Sequence, residues 1–170
     1  MPRWRGRSFG EVMTVILHSP VSVVHFVATL FALLTGTASL LVSKGTQRHR
    51  RLGWAYVGSM LLVLATAFGI YTLFGRFGIV HWGAVGSALA LLVGTSAVAL
   101  RAAIQRWQQW HYLGMGTSVL SLYAALAGES TYRLLPAPYF WWSTLGPAAA
   151  VLLTGVLLLY SYYPATQRRR

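Results

Sequence analysis

The chain has no cysteine. That excludes disulfides, thiolate metal centres, iron–sulfur clusters and covalently attached c-type haem. It also leaves the redox compartment unread. Acids are nearly as scarce, with only Glu11 and Glu129 among 170 residues. Charged residues of both signs make up 9%, against roughly a quarter in soluble domains. No P-loop, GxSxG, HExxH or dinucleotide fingerprint occurs, so the common sequence signatures of phosphate-loop, hydrolase and nicotinamide chemistry are missing. A carrier or proton path is poorly supported. Only one acid falls near a span, and no span is visibly broken at its middle.

What is present is apolar surface. Hydrophobic residues are 56% of the chain, and the mean hydropathy is +0.56. An all-α integral membrane bundle is expected, with about five spans joined by short connections. The expected spans are about 20–42, 53–74, 80–102, 109–128 and 142–162, in a single transmembrane domain covering 1–170. Ser19-Pro20 reads as a cap followed by the first helical position, Gly45 suits a helix stop, and Thr46 suits the next cap. Residues 9–17 are too short to span and fit an interfacial helix. The N-terminal apolar run is long and contains His25, so it is expected to remain as a span rather than to be cleaved at "TGTAS". Trp141 and Trp142 mark one interface, and Tyr160, Tyr162 and Tyr163 the other.

The net charge is +12, but the basic residues lie between and beyond the apolar runs. There they anchor a topology rather than bind nucleic acid. With the N-terminus outside, Lys44, Arg48, Arg50, Arg51, Arg101, Arg106 and Arg168 to Arg170 fall on the cytoplasmic side. Arg3, Arg5, Arg7, Arg76 and Arg133 fall outside. The positive-inside rule therefore predicts N-out, C-in. Lys44, Arg48, Arg50 and Arg51 in "KGTQRHRRLGW" are expected to meet anionic lipid headgroups.

There are five histidines. His25, His49, His81 and His111 lie near the N-terminal ends of the first four expected spans, and His18 has an ordinary interfacial role. The topology places His25 and His81 near the outer face and His49 and His111 near the cytoplasmic face. A helix N-terminus and a low-dielectric surrounding both disfavour imidazolium, and neutral imidazole is the ligating form. Ala28, Ala32 and Gly36 follow His25 at helical spacing, and Ala84 and Ala88 follow His81. Gly53, Tyr56 and Met60 continue the face of His49. Gly114, Ser118, Ser121 and Ala125 share the face of His111, with Glu129 a whole number of turns beyond. His25, His81 and Glu129 form an alternative metal set. Pairing of Glu129 with Arg133, and hydrogen bonding of each histidine to backbone, water or lipid, are the plainer readings.

The run "KGTQRHRRLGWAYVGSM", with His25, His81 and His111 opening other helices, resembles a family of small bacterial membrane proteins known as domain of unknown function 2306. The likeness covers roughly 20–130. It implies a multi-span helical protein with recurring histidines at 25, 49, 81 and 111, and no established activity. In histidine placement alone the chain is also similar to membrane cytochromes of the b561 type, which hold two b haems by histidine pairs.

Two functional readings follow. In one, the histidine pairs bind b-type haem or a divalent metal ion for membrane redox chemistry, with quinone as a partner. In the other, the chain is a non-catalytic accessory subunit of a larger respiratory or photosynthetic membrane complex. Its aromatic residues then supply contact surface with polar edges.

Overall fold

The computed structural model describes residues 19–70, 77–135 and 137–167. The expected interfacial helix over 9–17, Glu11, His18, the basic termini, Arg76 and the far end of the second span at Phe74 lie outside them. Five α-helices and one short 3-10 turn make up the described structure. They are α1 (Pro20–Leu41), α2 (Gln47–Ala67), α3 (Ile79–Ala99), α4 (Trp107–Leu134) and α5 (Phe140–Gln167), with the 3-10 turn Ala137–Tyr139 before α5. Three of them, α1, α3 and α5, are long and apolar enough to cross a membrane. In α2, Arg48, Arg50 and Arg51 occupy the first turns and leave too short an apolar remainder. In α4 the apolar run is diluted by hydroxyl, amide and histidine side chains.

Local signals set the helix ends. Ser19 caps α1 by accepting the Ser22 N–H at 3.2 Å, with Pro20 in the first turn. Gly45 takes φ +78°, a conformation that glycine adopts without penalty. Thr46 then caps α2 by accepting the His49 N–H at 3.2 Å. Helix α2 begins before the expected Gly53 and ends at Ala67. There the Gly69 N–H turns back to the Thr66 carbonyl, and the Ile70 N–H to that of Ala67. Helix α4 continues past Gly128, where its span was expected to end. Gly128 is a packing position rather than a stop, since an added Cβ would lie 2.9 Å from the Thr144 carbonyl.

The chain divides into two units, Met1–Gly78 and Ile79–Arg170. In the first, α1 and α2 form an antiparallel hairpin. Its α1 face is small and polar, with Ser22, Ala28, Ala32, Thr35, Gly36 and Ser39. It meets Tyr56, Met60, Val63 and Leu64 of α2. In the second unit, α4 packs on both α3 and α5. Gly94 of α3 and Gly114 of α4 touch backbone to backbone. Gly116 and Gly155 receive Leu159 and Leu120 across the α4–α5 seam. Ser87 donates to Ser121 at 2.6 Å between α3 and α4.

Both units are inverted relative to a water-soluble protein. Small and hydroxyl residues fill the seams, while Leu34, Leu41 and Leu157 stand 70%, 81% and 68% exposed. Large apolar residues outside and small ones within are what lipid permits, because tight helix contact rather than hydrophobic expulsion holds such helices together. Together with the three apolar helices, this identifies a membrane protein.

Candidate histidine sites

In the first unit the antiparallel hairpin carries one histidine at each end. His25, in the second turn of α1, reaches the last turn of α2, and its Nδ1 lies 2.8 Å from Thr66 Oγ1. The small stripe that follows His25 lies on the packed side of α1, with Ala28 and Ala32 buried. His49, in the first turn of α2, reaches the last turn of α1, and its Nδ1 lies 3.1 Å from the Ser39 carbonyl. That carbonyl is among the last four of α1, whose intrahelical partners are missing. The Lys44 ammonium reaches the same end, donating to Ser39 O at 2.9 Å and Leu40 O at 2.7 Å. Lys44 thus closes the negative end of the α1 dipole. The residue as a whole is exposed, yet desolvation at the helix end lowers its pKa from the usual 10.5. Arg48, Arg50 and Arg51 are exposed around it. Along α2, Tyr56 and Met60 are buried on the continuation of the His49 face, and Gly53 is half-buried.

In the second unit His81 lies in the first turn of α3 and is 2% exposed. The residues that continue inward are Ser87, Leu91 and Gly94, while Ala84 and Ala88 are half-buried. His111, in the second turn of α4, places Nδ1 2.9 Å from the Gly94 carbonyl. This reach depends on the Gly94–Gly114 contact one turn further along α4. Beyond it, Gly114 and Ser118 are buried and Ser121 half-buried, whereas Ala125 is exposed. Glu129 is half-buried. The Arg133 side chain lies outside the described residues.

The ring nitrogens can be assigned roles. A carbonyl oxygen only accepts, so His49 and His111 each donate from Nδ1–H. For His25 the partner is a hydroxyl, but that hydroxyl is itself 2.7 Å from Leu62 O and 3.0 Å from Val63 O. Oxygens that close require the hydroxyl hydrogen between them, so Thr66 donates within α2 and accepts from His25 Nδ1–H. In the neutral ring the lone pair of all three histidines is therefore on Nε2. An Nδ1–H held by a carbonyl or another acceptor is the usual support of a ligating imidazole.

Thr66, Ser39 and Gly94 were not among the residues expected to matter. Thr66 had a usable signal, since it continues the buried Ser59, Val63 spacing of α2. The two carbonyls had none, because any residue type supplies one. His25 and His49 belong to one unit, and His81, His111 and Glu129 to the other. Within neither unit do three His, Asp or Glu side chains of the described residues gather around one point. Comparison with family models, curated proteins and solved structures finds no match to this chain.

Proposed function

We propose that the chain is a five-span protein of the bacterial inner membrane, N-terminus outside, whose histidines bind b-type haem or a metal ion for membrane redox chemistry. His25 and His49 are the candidate ligands of the first unit, and His81 and His111 those of the second. For a metal ion, Glu129 is a further candidate ligand in the second unit. Quinone is the natural small-molecule partner, and kinship with domain of unknown function 2306 is part of the same proposal. Arg48, Arg50 and Arg51, with Lys44, serve anionic headgroups on the cytoplasmic side.

The observation that supports this reading is the shared ring assignment. Three histidines from two units each hold Nδ1–H on an internal acceptor and carry the lone pair on Nε2. Nε2 is a nitrogen that haem iron and zinc accept. Bound haem or metal would supply one-electron transfer or Lewis acidity. The protein's part is to hold the rings oriented among apolar helices.

The test is the visible spectrum and metal content of protein purified from haem-replete membranes. A Soret band lost in His25→Ala or His81→Ala is expected, or stoichiometric metal with the same dependence. A colourless, metal-free protein that co-purifies with a partner at fixed stoichiometry would replace this reading with the accessory-subunit one.

A further inference from the structure

We infer that Thr66 is the positioning residue of His25, fixing its tautomer and ring direction so that Nε2 is the ligating nitrogen. The inference deepens the proposed function and rests on it for the ligand, though not for the ring geometry. The two residues lie at opposite ends of their helices and meet only because the hairpin is antiparallel, with Nδ1 and Oγ1 2.8 Å apart. Thr66 is half-buried, in the last turn of α2. Its hydroxyl is held at 2.7 Å from Leu62 O and 3.0 Å from Val63 O. Turning the hydroxyl hydrogen toward His25 would leave three oxygens in close contact with no hydrogen between them. The hydroxyl therefore has one stable role toward the ring, that of acceptor. The arrangement spans both helices of the hairpin, and His25 cannot swing without giving up the bond. The His25 backbone carbonyl accepts the Thr29 hydroxyl at 2.8 Å within α1.

His25 is half-buried at the helix seam, where a ring N–H turned from water needs a partner. Valine matches threonine in shape and removes the acceptor. Serine keeps the acceptor and removes the methyl. The pair of variants thus separates the hydrogen bond from packing. Partners of this kind typically change metal affinity by about 10- to 100-fold when removed.

The experiment uses full-length protein with 15N-labelled histidine in lipid nanodiscs, without ligand and then titrated with haemin alone and, separately, with zinc alone. The His25 signals are assigned by their loss in His25→Asn. In the wild type the Nδ1–H, Nε2-lone-pair pattern is expected at His25. In Thr66→Val that pattern gives way to the other tautomer or a mixture, and His25-dependent uptake weakens about 10- to 100-fold. Thr66→Ser restores both. A wild-type His25 protonated on Nε2 overturns the inference without any variant, so it stays testable if Thr66→Val fails to insert. A Thr66→Val ring spectrum identical to wild type overturns it as well, even where the Soret band persists and the proposed function stands. Wild-type protein that shows the expected tautomer but takes up neither haemin nor zinc through His25 removes the proposed function, and the ligand role of Thr66 with it.

Discussion

Replacing Gly114 by alanine is the sharpest test of how the second unit holds His111. A Cβ at that position would lie 2.5 Å from Gly94 N, 2.7 Å from Gly94 Cα and 2.9 Å from Ala90 O. Carbon contacts settle near 3.5 Å, so α3 and α4 must separate locally by about 1 Å. The obstacles are backbone atoms, which cannot rotate aside. Overpacking of this kind costs about 1–3 kcal/mol. The same displacement stretches the His111 Nδ1 to Gly94 O bond, now 2.9 Å, past hydrogen-bond range, for about 1 kcal/mol more. The better helix propensity of alanine offsets about 1 kcal/mol, which leaves a net loss of about 1–3 kcal/mol. Gly86→Ala is the matched control, because nothing lies within 4 Å of a Cβ there. It should be neutral or slightly stabilising. Reversible unfolding of both variants in mixed detergent micelles measures the difference, and the His111 ring 15N spectrum reports the bond. Gly114→Ala as stable as Gly86→Ala, with an unchanged His111 spectrum, would refute the close contact as the support of that histidine.

Ser121→Ala removes the 2.6 Å bond from Ser87 and should cost about 0.6 kcal/mol, the usual worth of an interhelical bond in lipid, by the same unfolding assay. Thr46→Ala removes the α2 cap and should cost about 1 kcal/mol, with Thr46→Ser close to wild type. Desolvation lowers the Lys44 pKa, so the unfolded chain holds that proton more firmly than the folded one. The stability of wild type relative to Lys44→Met should therefore rise as pH climbs from the lowered value toward 10.5; a falling difference over that window would contradict the assignment. His49→Asn and His111→Asn keep a donor near the Nδ1 position, so stability should stay within about 1 kcal/mol of wild type while haemin or metal uptake is lost. Uptake that survives both would reduce these histidines to structural donors.

The starts of the first two helices were legible in the sequence because their signals are local. Ser19-Pro20 and Gly45-Thr46 act within a turn of where they stand, and the structure uses each of them so. The ends were less legible. Gly69 closes α2 through a turn that the apolar run around it conceals. Gly128 has the residue type of a stop but the position of a contact, and only the partner helix distinguishes the two. The candidate histidines could be named because histidine is rare in apolar spans. Their orientation toward neighbouring helices was partly legible: the small stripe after His25 is buried, while the stripe after His81 is turned from the one expected. Their hydrogen-bond partners were not legible, since two are backbone carbonyls and the third, Thr66, is distant in sequence.

Why histidine stands at these points, rather than a simpler donor, is the question that joins fold to function. An unpaired carbonyl at the end of α1 needs only an N–H, and Lys44 already supplies one to Ser39 O. An asparagine could supply another. In the second unit Gly94 O lies inside α3, where the helix ladder already engages it, so the bond from His111 is not needed to rescue an orphan. Capping therefore explains the Nδ1 side of His49 and leaves His111 unexplained. What the two share, and what His25 shares with them, is a ring held by Nδ1 with its lone pair on Nε2. Imidazole is the side chain that joins one fixed donor to one fixed acceptor across a rigid ring. A protein that needed only the donor had cheaper choices in a membrane, where every ionisable group is costly to keep. The Nδ1 bonds account for one side of each ring, and the Nε2 side is where the proposed ligand role is put to the test.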